Sequence, residues 1–179
     1  TVLYFNLNLP DGHYWTLAER NTVRLKAILS GAYTTANGLM RDDLRAQNLI
    51  PTTDPYLGTA SLNPDMLNVT GPDAVVDWVL LELRDANDST QVESQLPLLK
   101  QRDGDLIDIN GETNIALPLQ SSTYFLSLRH RNHLGVITAT AIQFANLDST
   151  LDFSTGQLAV GTNAQRLLMP DVYGLWSGD

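Results

Sequence analysis

The longest apolar run of the chain is residues 74–84, AVVDWVLLELR, and it is rich in β-branched and aromatic side chains. Successive side chains of a strand point to opposite faces. Regular alternation would therefore place Ala74, Val76, Trp78 and Leu80 on one face, and Val75, Asp77, Val79, Leu81 and Leu83 on the other. Both faces are mostly apolar, which is typical of a strand that is covered on both sides. The pattern predicts a central strand with Trp78 as its largest core side chain.

Shorter segments with strand-like alternation are spread over the rest of the chain. They lie at residues 2–9, 22–29, 92–100, 106–109, 114–119, 122–131, 135–144 and 151–153, and Pro97 interrupts or edges the third of them. Strands every 8–12 residues or so, with turn residues between them, are typical of a β-sandwich. We predict an all-β fold, an immunoglobulin-like or jelly-roll-type β-sandwich. In it Trp78 and Tyr124 face each other across one interior, with Tyr124 placed as in a tyrosine corner.

Residues 30–72 form a long irregular excursion, punctuated by glycine and proline. Residues 40–48 within it are predicted to form one short helix, with Asp42 and Asp43 in its first turn. Loops of this length are uncommon unless they cover a core or carry a site. Residues 159–169 fit either a short helix or a loop. Residues 170–179 are expected to be a tail or the start of a linker, so that residues 1–179 form a single domain.

Composition and charge narrow the classes of function. Only 17% of residues are charged, 43% are hydrophobic, and the net charge is −9, from 11 basic and 20 acidic residues. A nucleic-acid partner is not expected, because phosphate binding needs a concentrated basic face. No apolar segment reaches the roughly 20 residues that a membrane helix needs, so no membrane span is predicted. No cysteine is present, which excludes disulfides and thiol chemistry. No signal-peptide pattern is visible. The chain starts at Thr1 inside what already looks like a strand, with no initiator Met, so we expect a piece of a longer protein.

The most polar stretch on a strong strand is residues 129–133, RHRNH. Arg129 and Arg131 could donate forked hydrogen bonds to an anion, a carboxylate or sugar hydroxyls, with an imidazole beside them. The alternative, which we favour, is structural. His130 then points inward and is satisfied by the backbone, while the two arginines pair with acidic side chains. A metal role for His130 and His133 lacks a third ligand at convincing spacing.

Two further groups of side chains are candidates for ligand binding. Trp15, Tyr33 and Tyr56 could stack on sugar rings if they are exposed, although large aromatics more often seal the edges of a sandwich. Asp103, Asp105 and Asp108 could present oxygens to calcium, but their spacing is not that of an EF-hand loop, and an Asp-Gly hairpin turn explains them without metal. No cofactor is otherwise expected.

Motifs of catalysis are missing from the sequence. There is no Gly-x-Ser-x-Gly elbow, no glycine-rich phosphate loop and no His-Glu-x-x-His pair. Acidic residues are frequent, but a glycosidase pair cannot be inferred from their number, since it requires a defined carboxylate separation. We do not expect an enzyme.

Three segments together carry a resemblance to a known kind of module. They are GLMRDDLRAQNLIP at 38–51 with Pro55-Tyr56, VVDWVLLELR at 75–84 with LKQRDGD at 99–105, and RHRNHLGV at 129–136. The chain resembles a module found near the C-terminal end of large, modular, secreted or surface proteins of gliding, polysaccharide-degrading bacteria. The resemblance implies an extracellular, cell-surface location and a non-catalytic accessory role, with neighbouring domains and a polysaccharide or cell-surface glycan as partners. A structural spacer or a self-assembling filament subunit is the alternative role.

Overall fold

The computed structural model describes residues 22–144 and 150–178. The predicted strand at 2–9 and Trp15 lie outside these residues. Within them no helix is long and apolar enough to cross a membrane. The described elements are β1 (Thr22–Lys26), β2 (Tyr33–Thr34), β3 (Leu39–Met40), α1 (Asp43–Ala46), a 3-10 turn (Pro64–Asn68), β4 (Val75–Asp85), β5 (Val92–Gln101), β6 (Leu106–Ile107), β7 (Ile115–Ala116), β8 (Thr123–His130), β9 (His133–Ile137), β10 (Ile142–Gln143), β11 (Thr150–Asp152), a 3-10 turn (Phe153–Thr155), β12 (Arg166–Met169) and β13 (Val172–Gly174).

The main sheet has six strands, and β4 lies in its middle, as predicted. The strand order is β10-β8-β4-β5-β6, with β9 also pairing with β8, and every pairing is antiparallel. Pro97 sits opposite Leu80 in the β4–β5 ladder, whereas β6 pairs with β5 only at Leu99 and Lys100. Pro97 therefore lies beyond the part of β5 that β6 covers, where a missing N–H donor is tolerated.

A second sheet of three strands, β11-β1-β7, packs on one face of the main sheet. Val23, Leu25, Ala27 and Leu29 are buried, as their alternation predicts. They join Leu81, Leu83 and Leu126 of the main sheet in the larger hydrophobic core. The prediction of an all-β, sandwich-like fold is confirmed.

The predicted common interior for Trp78 and Tyr124 is wrong. Both rings are buried, with 0% and 1% of their surface exposed, but Tyr124 belongs to the larger core and Trp78 to a second one. The ladder between β4 and β5 shifts register between Val75 and Asp77. A bulge of this kind interrupts alternation. Val76 consequently packs with Val79 in the larger core, while Val75 packs with Trp78 on the opposite side.

The long excursion covers the Trp78 face of the main sheet. Ile50 and Leu62 from the excursion meet Trp78 in the second core. The indole N–H of Trp78 also donates to the carbonyl of Pro51 at 2.8 Å. The predicted helix exists but is short, only Asp43–Ala46. The excursion is thus the second outer layer of the fold, and this is why both faces of β4 are apolar.

The C-terminal segment is part of the fold, and the expectation of a tail or linker at 170–179 is wrong for the described residues. Residues 159–169 contain a strand, β12, that pairs with β13. Leu175 follows β13, is 1% exposed, and exchanges backbone hydrogen bonds with Ile28 and Ser30 next to β1. Its burial in the larger core anchors the segment.

Candidate functional site

A cavity of about 490 Å³ opens at one end of the larger core. It lies between the loop after β1, the start of α1, the start of β4, the turn between β8 and β9, and the C-terminal segment. Its size lies within the usual range for small-molecule sites. The lining combines an apolar floor with charged and polar groups, and consists of Leu29, Gly31, Ala32, Arg41, Asp43, Leu44, Val76, Asp77, His130, Asn132, His133, Ser177 and Gly178.

Two histidines and an aspartate form a hydrogen-bonded chain along this cavity. His130 Nε2 is 3.1 Å from Asp77 Oδ2, and His130 Nδ1 is 2.9 Å from His133 Nδ1. The backbone N–H of Gly31 donates to His133 Nε2 at 3.2 Å. That nitrogen must accept, so the proton of a neutral His133 is on Nδ1 and is donated to His130. His130 in turn donates from Nε2 to Asp77, and the geometry assigns one neutral tautomer to each ring.

Asp77 is the buried acceptor at the end of this chain, with 2% of its side chain exposed. Arg131 donates to both of its oxygens, from Nη2 at 2.9 Å and from Nε at 3.2 Å, and the backbone N–H of Trp78 donates to Oδ1 at 2.8 Å. Burial raises the pKa of Asp77, but the hydrogen bonds from His130 and Trp78 and the nearby positive charge outweigh it, so the net pKa is lowered. Asp77 is ionised at neutral pH.

His133 is the most strongly perturbed group at the cavity. Burial disfavours its imidazolium form, the adjacent His130 adds to this effect, and Asp77 offsets it only in part, which lowers the pKa of His133 to about 4. His133 is therefore neutral at physiological pH, in agreement with the tautomer that the Gly31 N–H imposes.

Each of the two predicted arginines pairs with an acidic side chain. Arg131 pairs with Asp77, and Arg129 Nη1 lies 3.3 Å from Glu82 Oε1 on the opposite face of the sheet. His130 is buried, as the structural alternative expects, but its main partner is the Asp77 side chain, with the N–H of Asn132 donating to Nδ1. These contacts agree with the structural alternative for the pairing of the arginines. The pairing with Glu82 keeps Arg129 away from the cavity. The polar stretch at residues 129–133 is therefore divided between the two faces of the sheet.

The candidate aromatic residues do not form a common platform in the described part of the chain. Tyr56 is half-buried, donates from its hydroxyl to the Trp78 carbonyl at 3.1 Å, and accepts the Arg131 N–H at 3.2 Å. Its burial raises its pKa to about 12. Tyr33 donates to Met169 Sδ at 3.3 Å. Trp15 is outside the described residues.

The three candidate calcium ligands are divided between two turns. Asp103 accepts the N–H of Asp105, and Asp105 lies 3.4 Å from Lys26 Nζ. Asp108 accepts the N–H groups of Asn110 and Glu112 in the following turn. Among residues 22–144 and 150–178, no three His, Cys, Asp or Glu side chains are grouped so that they could hold a metal ion.

Sequence reasoning missed Asp77, Gly31 and Arg41 as parts of one site. The only sequence signal for Asp77 is that it is one of two acids, with Glu82, inside a strand that is otherwise mostly apolar on both faces. Gly31 and Arg41 lie far from it along the chain, and no local pattern connects them. Comparison of the chain with protein-family models, curated proteins and solved structures gave no match.

Proposed function

We propose that this chain is a non-catalytic accessory module of a larger extracellular protein, and that it binds a glycan in the 490 Å³ cavity. The observation that carries the proposal is the lining of that cavity. Ala32 and Leu44 offer an apolar surface to the CH face of a sugar, and Asn132 with the exposed Arg41–Asp43 ion pair offers donors and acceptors to its hydroxyls. The extracellular location is part of this proposal, and only the resemblance of the sequence supports it.

Binding is favoured over catalysis because the two histidines have no nitrogen left for a substrate. Both nitrogens of His130 and both nitrogens of His133 take part in hydrogen bonds within the described residues. A general base needs a free nitrogen within reach of the proton that it removes. The Asp77–His130–His133 chain instead stiffens the wall of the cavity, as preorganised binding sites require.

The experiment is titration of the full chain with neutral oligosaccharides of glucose, xylose, mannose and galactose, followed by calorimetry and two-dimensional NMR. At least one should bind, and the amide shifts should centre on residues 31–44 and 130–134. Asn132→Ala should weaken binding by about tenfold, because one polar contact is worth roughly that factor. Asn68→Ala, at the exposed end of the first 3-10 turn, is the matched control. Absence of binding across the panel would overturn the proposal.

An assembly or spacer module is the second candidate, and exposed apolar side chains favour it. Leu134, Leu167 and Trp176 are 63%, 59% and 37% exposed, and Leu134 donates its N–H to the Trp176 carbonyl. Leu134 and Trp176 lie on adjoining segments, and exposed apolar surface often marks a contact between proteins. Sedimentation equilibrium would show concentration-dependent association that Leu134→Glu removes. A strictly monomeric chain would leave only the spacer role.

A further inference from the structure

A second polar cluster lies on the opposite face of the main sheet from Asp77 and His130. Its centre is Glu82 on β4, whose side chain is only 1% exposed. Arg84 donates to Glu82 Oε2 from Nε at 3.0 Å and from Nη2 at 2.5 Å, while Gln95 and Arg129 donate to Oε1 at 3.1 and 3.3 Å. Both oxygens of this buried carboxylate are therefore fully engaged.

The charges of the cluster do not cancel. Burial raises the pKa of Glu82, but the hydrogen bonds from Arg84, Gln95 and Arg129 outweigh it, so the net pKa is lowered and the carboxylate is ionised at neutral pH. One negative charge thus faces the guanidinium groups of Arg84 and Arg129. Within this cluster of Glu82, Arg84 and Arg129, one positive charge is left over, in a chain whose net charge is −9.

The surplus charge is on Arg129, which presents an unused edge. Its side chain is 59% exposed, and Glu82 engages only Nη1. The Nε–Nη2 edge makes no hydrogen bond that the structure describes. This is the edge that binds a carboxylate through two parallel hydrogen bonds. Arg84, by contrast, uses the same edge on Glu82 and donates from Nη1 to the carbonyl of Ser89.

A groove of about 240 Å³ runs beside the free edge of Arg129. It is lined by Arg84, Ser127, Arg129, Gly135, Val136 and Ile137. Gly135 lies close against β8 here, since a Cβ at this position would lie 3.2 Å from the Leu128 carbonyl oxygen and 3.5 Å from Cγ of Arg129. The groove therefore presents the guanidinium edge of Arg129, the hydroxyl of Ser127 and the backbone of β9 to one ligand.

We infer that this groove binds a carboxylate, and that its ligand is a uronic acid unit of an acidic polysaccharide. The carboxylate takes the free edge of Arg129, and the neighbouring sugar hydroxyls meet Ser127 and the β9 backbone. A small carboxylate ion such as acetate could make the contact with Arg129 but has no hydroxyls for Ser127 and the β9 backbone. The groove and the 490 Å³ cavity are on opposite faces of the sheet, so this site does not depend on the proposed neutral-glycan site.

The test is an NMR titration of the arginine Nε–Hε groups in the full chain at constant ionic strength. Trigalacturonate should produce a saturable shift of the Arg129 resonance, and its methyl ester should bind about tenfold more weakly or worse, because it lacks the charged acceptor. Sodium acetate and inorganic phosphate are the comparison ions. Acetate or phosphate that binds as tightly as trigalacturonate would overturn the assignment of a sugar.

Substitutions at Arg129 and Arg166 separate specific binding from general charge attraction. Arg129→Gln should weaken trigalacturonate binding about tenfold, and Arg129→Lys should also weaken it because lysine keeps the charge but has no fork. Arg166→Gln removes the same charge at an exposed position elsewhere and should leave binding within about twofold. An equal loss in Arg166→Gln, or no saturable shift of Arg129, would overturn the inference. Asn132→Ala, which tests the other cavity, should have no effect on this titration.

Discussion

At the scale of single residues, Asp54 shows how one carboxylate orders a loop. It is buried, and its two oxygens accept the backbone N–H groups of residues 56 to 60, at distances from 2.7 to 3.2 Å. Burial raises the pKa of Asp54, but these backbone donors outweigh it and hold the net pKa below its usual value. The loop in turn places the hydroxyl of Tyr56 against the Trp78 carbonyl and the Arg131 N–H.

Asp54→Asn should therefore destabilise the chain by about 1–3 kcal/mol, because an amide group replaces one acceptor oxygen and backbone N–H donors of the loop lose their acceptor. Urea denaturation followed by tryptophan fluorescence measures the loss. Asp65→Asn, an exposed position in the same excursion, is the control and should change stability by less than about 0.5 kcal/mol. Equal effects of the two substitutions would contradict this account.

Lys100 is the one fully buried lysine in the described residues, with 0% exposure. Its amine donates to the Gly104 carbonyl, which also accepts the N–H of Ala27. Burial lowers the pKa of Lys100 well below its usual value, and the charges of Asp105 and Asp103 offset this only in part. Replacing this lysine would not leave the Gly104 carbonyl unpaired, because Ala27 still donates to it.

Lys100→Met should raise the free energy of unfolding at pH 7 by roughly 1 kcal/mol or more, since a buried amine is replaced by an apolar chain of similar length. Between the lowered folded pKa and 10.5, the unfolded chain binds more protons than the folded chain. The stability of the unsubstituted chain should thus rise with pH towards 10.5, and the advantage of Lys100→Met should shrink. Urea titrations at pH 7 and 10 test this. Lys26→Met, at a partly exposed lysine, should show no such gain.

At the scale of elements, Tyr124 connects β8 to the turn that precedes it. Its hydroxyl oxygen accepts the backbone N–H groups of Gln120 at 2.8 Å and Ser121 at 2.6 Å. This is the arrangement of a tyrosine corner, and the position of Tyr124 at the start of a strand indicated it. The ring itself packs against Phe144, with centroids 6.2 Å apart.

Tyr124→Phe should keep that packing but lower the free energy of unfolding by about 1–3 kcal/mol, because two N–H donors lose their acceptor. Tyr173→Phe is the matched control, since the structure describes no hydrogen bond of its hydroxyl within the described residues. Chemical denaturation of both variants gives the comparison. If Tyr173→Phe lowered the free energy of unfolding as much as Tyr124→Phe, the hydrogen bonds of the tyrosine corner would add nothing to stability.

The β-bulge in β4 is a feature that hydrophobic alternation did not predict. Alternation predicted the inward side chains of β1 and β8 correctly, because those strands are regular over their apolar positions. It assigned Val75 and Val76 to the wrong sides, because one shifted residue reverses every assignment beyond it. Nothing local distinguishes the bulge, since both faces of β4 are apolar.

At the scale of the whole molecule, the Asp77–His130–His133 chain couples stability to pH. Gly31, Asp77 and the turn after β8 come from three distant parts of the sequence, and neutral His133 joins them. The folded pKa of about 4 lies below the unfolded value of 6.5. As pH falls from 6.5 towards 4, the unfolded chain takes up a proton that the folded chain does not, so stability falls.

We expect the free energy of unfolding to drop by about 1–3 kcal/mol over that range from this group. NMR of the imidazole nitrogens should give a midpoint near 4 for His133 in the folded chain. His133→Gln keeps an acceptor for Gly31 but has no proton to gain, so its stability should depend less on pH between 6.5 and 5. A midpoint near 6.5 in the folded chain would contradict the proposed tautomers.

Local pattern was enough to predict the sandwich-like fold class, the central position of β4 and the tyrosine corner, whereas it left open whether the excursion covers a core or carries a site. Each of these predicted features depends on hydrophobic periodicity and on turn residues, which can be recognised within a few neighbouring positions of the sequence. Local pattern did not predict three other features. A register shift in β4 decides on which side of the sheet Trp78 packs. Contacts between distant segments decide the fold of residues 170–178 and place Arg129 and Arg131 in two different sites. Such contacts form only in the folded chain, because the residues that make them are tens of positions apart in the sequence and share no local pattern.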